Sequence, residues 1–225
     1  SGDFFMAEKL YNQLLNLNYR KDVIFSNLGV IYKVQNNFEK AKEYFERAID
    51  INPRYADPWS NLGDLYRLKG LFDNSIVACS KAISISSSHE NAYLNLGAAY
   101  KEKGLTDHAL TSTLKALDIN PNNSVAYINL STLYVDKFLL DKALISIKKA
   151  ISLKPSCHAF TAASIIYFEL GTLDMARKFA MDGLHLNPDD SQLNYIMGKI
   201  ERSFGHLEVA LNYFENSIKF NMYNI

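Results

Sequence analysis

The strongest constraint on the fold of this chain is a pattern of residues that recurs about every 34 positions. Four segments align without a gap, each with an aromatic residue, Asn-Leu, Gly or Ser, and Tyr at fixed places; they are 25–32, 59–66, 93–100 and 127–134. Weaker copies occupy 160–167 and 194–201. A unit of this length cannot bury an apolar face alone, so the pattern predicts a stack of similar units.

Within each unit the spacing predicts a helical hairpin. Apolar residues at i, i+3 and i+7 form one stripe of a first helix. A turn position follows, at Asn36, Gly70, Gly104, Phe138, Gly171 and Gly205. Glycine there permits a positive φ, whereas Phe138 is an exception to the pattern. We expect Leu139 and Leu140 to pack between helices and Phe138 to be exposed. The alternative is that Phe138, Leu139 and Leu140 together form a docking site for a second chain.

The second helix of each unit is marked by two small residues seven positions apart. The first is Ala41, Ser75, Ala109, Ala143, Ala176 or Ala210, and the second is Ala48, Ala82, Ala116, Ala150, Gly183 or Ser217. Small side chains let the two helix axes approach closely. Proline follows most units, at Pro53, Pro121, Pro155 and Pro188, and we expect the next helix to be capped by Asp22, Asp57, Ser124 or Ser191.

This ordered set of aromatic, Leu-Gly, Tyr, Ala, Ala and Pro resembles the tetratricopeptide repeat family over nearly the whole chain. The resemblance implies an all-α, right-handed α-solenoid of helix-turn-helix repeats in a single array. The expected repeats are 22–55, 56–89, 90–123, 124–156, 157–190 and 191–225, with 1–21 as the second helix of a preceding partial repeat. Because the chain starts within a repeat and no polar capping helix follows, we expect a fragment of a larger protein.

Composition narrows the classes of partner. The chain of 225 residues is 48% hydrophobic and 21% charged with net charge +0, typical of a globular protein. No excess of Lys and Arg favours nucleic acid or an anionic membrane. Without a long apolar run or a signal-like start, a cytoplasmic setting is expected. The two cysteines are far apart in the sequence and are interpreted as ordinary thiols.

The candidate binding site rests on one recurring amide. In this family the first helix of each repeat faces the concave surface, and the resemblance places Asn27, Asn61, Asn95 and Asn129 there. They are similar to the asparagine ladder of O-linked N-acetylglucosamine transferases, whose amides can pair with the main chain of an extended peptide. Equally, each amide can hydrogen-bond to a neighbouring helix. The remaining predicted groove residues are Lys33, Asp64, Arg67, Leu94, Lys101 and Ile128.

No motif in the sequence indicates catalysis or the binding of a cofactor or metal. The histidines lack the spacing of metal ligands, and no phosphate-binding loop or nucleophile motif is present. We therefore expect no enzymatic activity, cofactor or metal, although a catalytic domain could lie outside this fragment. The favoured function is an interaction module that binds an extended peptide or partner segment in the groove. The alternative is a structural scaffold that assembles a complex, or self-associates through its uncapped C-terminal end.

Overall fold

The computed structural model describes residues 2–16 and 20–222, which contain thirteen α-helices and no strand. The helices are α1 (Gly2–Asn16), α2 (Lys21–Val34), α3 (Phe38–Ile51), α4 (Ala56–Leu68), α5 (Phe72–Ile85), α6 (Glu90–Glu102), α7 (Thr106–Ile119), α8 (Ser124–Asp136), α9 (Leu140–Leu153), α10 (Cys157–Glu169), α11 (Leu173–Leu186), α12 (Ser191–Ser203) and α13 (Leu207–Met222). The all-α class and the tandem helix pairs of the sequence analysis are confirmed.

The helices form two compact units, Ser1–Asn120 and Pro121–Ile225. In unit 1, α1 packs against α2, the pairs α2–α3, α4–α5 and α6–α7 are hairpins, and the first helices α2, α4 and α6 pack side by side. Unit 2 repeats this arrangement with the hairpins α8–α9, α10–α11 and α12–α13. In both units each second helix also packs against the first helix of the next hairpin of that unit.

Close approach within a hairpin depends on the glycine of the first helix. A Cβ atom added to Gly29 would lie 2.5 Å from the ring of Phe45, and one added to Gly63 would lie 2.3 Å from the sulfur of Cys79. On the second helix, Ala41 has no exposed surface. The other small residues of the second helices are buried as well, as their spacing predicted, except Ser217, which is half-buried.

The turns between paired helices share a left-handed residue. Gly70, Gly104, Gly171 and Gly205 have φ between 72° and 85°, while Asn36 and Phe138 have φ of 59° and 57°. The N–H that follows the left-handed residue reaches back to a carbonyl of the helix, as from Leu71 to Tyr66 at 2.8 Å. This bond satisfies a carbonyl that the helix end leaves free.

Phe138 is 90% exposed, as expected, but the prediction for Leu139 is wrong. Leu139 precedes the first residue of α9 and is exposed, because its position at the helix start directs it away from the contact between helices. Leu140, the first residue of α9, is half-buried.

The predicted helix caps are displaced by one or two residues. The capping side chains of α8 and α12 are Asn123 and Asp190, whose Oδ1 atoms each accept the N–H three residues on at 2.9 Å. Ser124 and Ser191 are instead the first helical residues. The carboxylate or amide oxygen is as good an N-cap as the serine hydroxyl, and the helix begins at the earlier polar residue.

Asp22 and Asp57 lie in the first turns of their helices rather than at the caps. Asp22 is buried and accepts the side-chain amide of Asn52 at 2.9 Å, and Asp57 contacts a ring nitrogen of His89 at 3.0 Å. Asp22 thus joins the start of α2 to the end of α3 within one hairpin, and Asp57 joins α4 to the start of α6. The charge of both carboxylates also suits a helix N-terminus.

Candidate functional site

The first-helix face of unit 1 is the surface formed by α2, α4 and α6, where most of the predicted groove residues lie. Asn27 and Lys33 are on α2, Asn61, Asp64 and Arg67 on α4, and Asn95, Leu94 and Lys101 on α6. The recurrence of the sequence pattern brings equivalent positions of the three helices onto one face, because the helices pack side by side in the same orientation.

A charged cluster joins two of these helices. The Nζ atom of Lys33 lies 2.7 Å from one oxygen of Asp64, and Nη2 of Arg67 lies 2.9 Å from the other. All three side chains are less than 30% exposed. Burial raises the pKa of Asp64, but the two cations outweigh it and the net pKa is below its ordinary value. Asp64 is therefore charged at neutral pH and holds Lys33 and Arg67 in place.

Two of the predicted amides are used within unit 1. Nδ2 of Asn27 donates to the hydroxyl of Tyr11 at 3.1 Å, which ties α2 to α1. Nδ2 of Asn95 donates to the backbone carbonyl of Ser60 at 3.1 Å, which ties α6 to α4. Within the described residues the Oδ1 atoms of both side chains accept no hydrogen bond, so they can accept one from another partner.

The third amide differs. Asn61 is half-buried, and its side chain makes no hydrogen bond among the residues that the structure describes. Six residues further along α4, the Nε–H of Arg67 is buried and also lacks an acceptor within the described part of the chain. Buried donors without partners are rare in native proteins. Of these two groups, Asn61 is partly exposed and can meet a ligand, whereas the protein encloses the Nε–H of Arg67.

The other predicted groove residues are less suited to contact a ligand. Leu94 is only 8% exposed, so it offers little surface to a ligand. Lys101 is exposed on α6. Asn129 and Ile128 lie on α8, in unit 2, where Ile128 packs against a buried cluster that includes Ala143 and Ile147. The contacts thus join Lys33, Asp64 and Arg67 in one cluster and tie Asn95 to α4, whereas the last two predicted residues lie in the other unit.

A second recess in unit 1 was missed by the sequence reasoning. A cavity of about 400 Å³ lies among α3, α4 and α5. The available signal was a pair of carboxylates one helical turn apart, Glu46 and Asp50. Because charges on a helix usually face solvent, this spacing alone does not distinguish a rim from an ordinary surface.

Two further findings concern other kinds of site. Within residues 2–16 and 20–222, no three or more His, Cys, Asp or Glu side chains are grouped so as to hold a metal ion. In the same part of the chain, every helix is too short or too polar to cross a lipid bilayer.

Comparison with known families identifies the repeat. Models described as tetratricopeptide repeat match residues 23–55, 90–123 and 124–157, and one described as TPR repeat matches residues 63–104. Together they cover more than half of the chain, which therefore belongs to the tetratricopeptide repeat family. Repeats of this family mediate protein–protein interaction and the assembly of complexes. A search of curated proteins finds no match.

Solved structures show the same fold at low sequence identity. A chain of the APC/C hetero-tetramer Cut9-Hcn1 is 18% identical with a TM-score of 0.90; the match covers 98% of this chain and 44% of that one. A tetratricopeptide repeat protein from Parabacteroides merdae is 18% identical with a TM-score of 0.76, over 97% and 87% of the two chains. YrrB, a TPR protein with an unusual peptide-binding site, is 23% identical with a TM-score of 0.57, over 78% and 91%.

Proposed function

We propose that this chain is a protein-interaction module and that the first-helix face of unit 1 binds an extended segment of a partner protein. The observation that carries the proposal is the half-buried amide of Asn61, which makes no hydrogen bond within the described residues and lies on the same helix as the Asp64–Arg67 pair. A peptide backbone offers both a carbonyl and an N–H at regular spacing, so it can satisfy both the Nδ2 and the Oδ1 of this amide.

The charged cluster supports this function by fixing the geometry of the site. Since Asp64 already holds Lys33 and Arg67, ordering these long side chains adds little entropic cost when a ligand binds. The Oδ1 atoms of Asn27 and Asn95 add acceptors on either side of α4. A peptide bound through main-chain groups would be selected by its extended shape more than by its side chains. The peptide-binding site named for YrrB is consistent with such a role for this fold.

The test begins with a ligand selected for this chain. Random peptides displayed on phage are selected against the wild-type protein, and the dissociation constant of an enriched peptide is then measured for Asn61→Ala. Loss of one net hydrogen bond predicts a dissociation constant raised about two- to tenfold. The melting temperature should not fall, because the side chain of Asn61 has no hydrogen bond to lose within the described part of the chain.

Two control variants make the outcome decisive. Asn212→Ala changes an exposed amide on α13 of unit 2 and should leave the affinity unchanged. Asn95→Ala should lower the melting temperature, because the carbonyl of Ser60 loses its donor. Enriched peptides that bind wild type and Asn61→Ala equally would contradict the proposed site.

A second candidate function, a scaffold that self-associates, is favoured by the outer side of α13. Leu207, Leu211 and Ile218 are each more than half exposed on this helix. Exposed apolar side chains in one stripe favour protein contact. Sedimentation velocity over a range of concentrations tests this candidate: Leu211→Gln with Ile218→Gln should abolish any association seen for wild type, and a wild-type monomer at all concentrations would exclude it.

The proposal also defines the class of partner. We assign the chain a protein partner, rather than a nucleic acid or a membrane, because its charges balance and no cationic excess is available to neutralise phosphates.

A further inference from the structure

The cavity among α3, α4 and α5 has an apolar floor. Trp59, Leu62 and Tyr66 come from α4, and Ile49 and Val77 from the two flanking second helices. Leu62 is nearly fully buried, whereas Val77 is 68% exposed. The cavity therefore presents aromatic and aliphatic groups to solvent within a recess of about 400 Å³. A recess of this kind accommodates a large apolar side chain of a partner.

The rim of the cavity is acidic. Glu46, Asp50 and Asp73 line it, and no Lys or Arg does. Lys42 lies 3.5 Å from Glu46 in an exposed pair, and Lys103 pairs with Asp73. Exposed pairs of this type are weak, so the carboxylates remain available to a stronger partner. Asp50 has no ion-pair partner among the residues that the structure describes.

The acidic pair is specific to this repeat. At the positions equivalent to Glu46 and Asp50, the next second helix α5 has Ser80 and Ser84, and α7 has Leu114 and Asp118. In unit 2, α9 has Lys148 and Ser152. The helix pair does not need two carboxylates at these positions, because the other hairpins form without them. The pair is therefore a property of the cavity and not of the repeat.

We propose that this cavity binds a protein segment in which one large apolar side chain is flanked by Lys or Arg. The apolar side chain would rest on Trp59, Leu62 and Tyr66, and the cations would pair with Glu46 and Asp50. The rings of Trp59 and Tyr66 also attract a cation over their faces. The cavity is formed by α3, α4 and α5 and uses none of Asn27, Asn61 or Asn95. It is therefore independent of the peptide site proposed above.

The chain contains a natural reporter of this cavity, because Trp59 is its single tryptophan. Tryptophan emission is followed while wild type is titrated with acetyl-Gly-Lys-Phe-Lys-Gly-amide. Two matched peptides replace both lysines by glutamate, or the phenylalanine by alanine. Only the first should give a saturable change, and the affinity should fall when the salt concentration rises from about 0.05 M to about 0.5 M.

The matched variants remove equal charge at two places. Glu46→Gln with Asp50→Asn should lower the affinity about five- to tenfold, as expected for two exposed charge pairs. Glu208→Gln with Glu215→Gln, on exposed positions of α13 in unit 2, should leave it unchanged. Circular dichroism melting curves check that both variants fold, and Asn61→Ala should bind as wild type does, which separates this site from the first-helix face.

Several results would overturn the proposal. Equal binding of the glutamate peptide, equal binding of the alanine peptide, or unchanged affinity in Glu46→Gln with Asp50→Asn would each do so, as would no saturable change at millimolar peptide. Tryptophan emission that changes with protein concentration in the absence of peptide, and that no longer changes in Phe138→Asn, would show instead that the occupant is a second copy of this chain. The exposed ring of Phe138 would then be the apolar side chain in the cavity.

Discussion

The hairpins α2–α3 of unit 1 and α10–α11 of unit 2 fill the same helix contact in opposite ways. In α2–α3 the first helix carries Gly29 and the second carries Phe45, which has no exposed surface. In α10–α11 the equivalent residues are Ser164 and Ala180, both fully buried. The hydroxyl of Ser164 donates to the backbone carbonyl of Ala176 at 2.8 Å.

The comparison shows that both hairpins bury this helix contact fully, but with different residues. A ring against a glycine, and a serine beside an alanine with its hydroxyl bonded to Ala176, both give a fully buried helix contact. The serine is tolerated in the core because its hydroxyl has a partner. Two other hairpins lie between these limits, since Gly63 faces Cys79 and Gly97 faces Thr113, whereas Gly198 faces Phe214 and repeats the form seen in α2–α3.

The largest expected effect is at Phe45. Phe45→Ala should lower the free energy of unfolding by about 3 to 5 kcal/mol, because it leaves a cavity opposite Gly29. Adding Gly29→Ser converts the contact to the form seen in α10–α11 and should recover part of that loss. Urea denaturation followed by circular dichroism measures both changes. If the double variant is no more stable than Phe45→Ala, the two hairpins do not use interchangeable solutions.

A smaller effect is expected at Gly63. In Gly63→Ala the new methyl group would lie 2.3 Å from the sulfur of Cys79 and 3.3 Å from backbone atoms of Ser75 and Cys79. Overpacking of this kind costs about 1 to 3 kcal/mol. Because the sulfur makes the worst contact, Cys79→Ala should relieve much of the loss in the double variant. Thermal melting of the two single variants and the double variant tests this, and strictly additive losses would contradict the predicted contact.

The smallest effect concerns Ser164. Ser164→Ala removes the bond to the carbonyl of Ala176 and should lower the free energy of unfolding by about 0.5 to 1.5 kcal/mol. Ser203→Ala provides the control, since the hydroxyl of Ser203 is exposed and bonds only within its own helix, to Lys199. Equal melting temperatures for Ser164→Ala and wild type would show that the hydroxyl fills space and that its bond adds no stability.

The fold was predictable because its determinants are local and recur. Gly70 and Gly104 indicate their turns because glycine readily adopts the positive φ required there. Ala41 indicates a helix contact because its side chain is small. Leu139 was misplaced because the glycine of the pattern is replaced by Phe138 there, so the neighbouring apolar residues gave no clear register. Asp22 was misplaced as a cap because several polar residues precede α2 and sequence alone does not choose among them.

The candidate sites were less predictable, because they depend on contacts between repeats. The Asp64 cluster needs Lys33, thirty-one residues earlier, to reach across from α2, and no local pattern reports that distance. The bond from Asn95 to Ser60 distinguishes it from Asn61, although the two asparagines occupy the same place in the pattern. The acidic cavity forms only when α3 and α5 flank α4.

The burial of Cys79 beneath Gly63 makes its thiol a probe of how often the hairpin α4–α5 opens. Cys79 has no exposed surface, and burial raises its pKa to about 12, so the reactive thiolate is nearly absent at neutral pH. A thiol reagent can modify it only after the two helices separate locally. The labelling rate of Cys79, read beside that of the half-buried Cys157, thus measures opening of this hairpin directly.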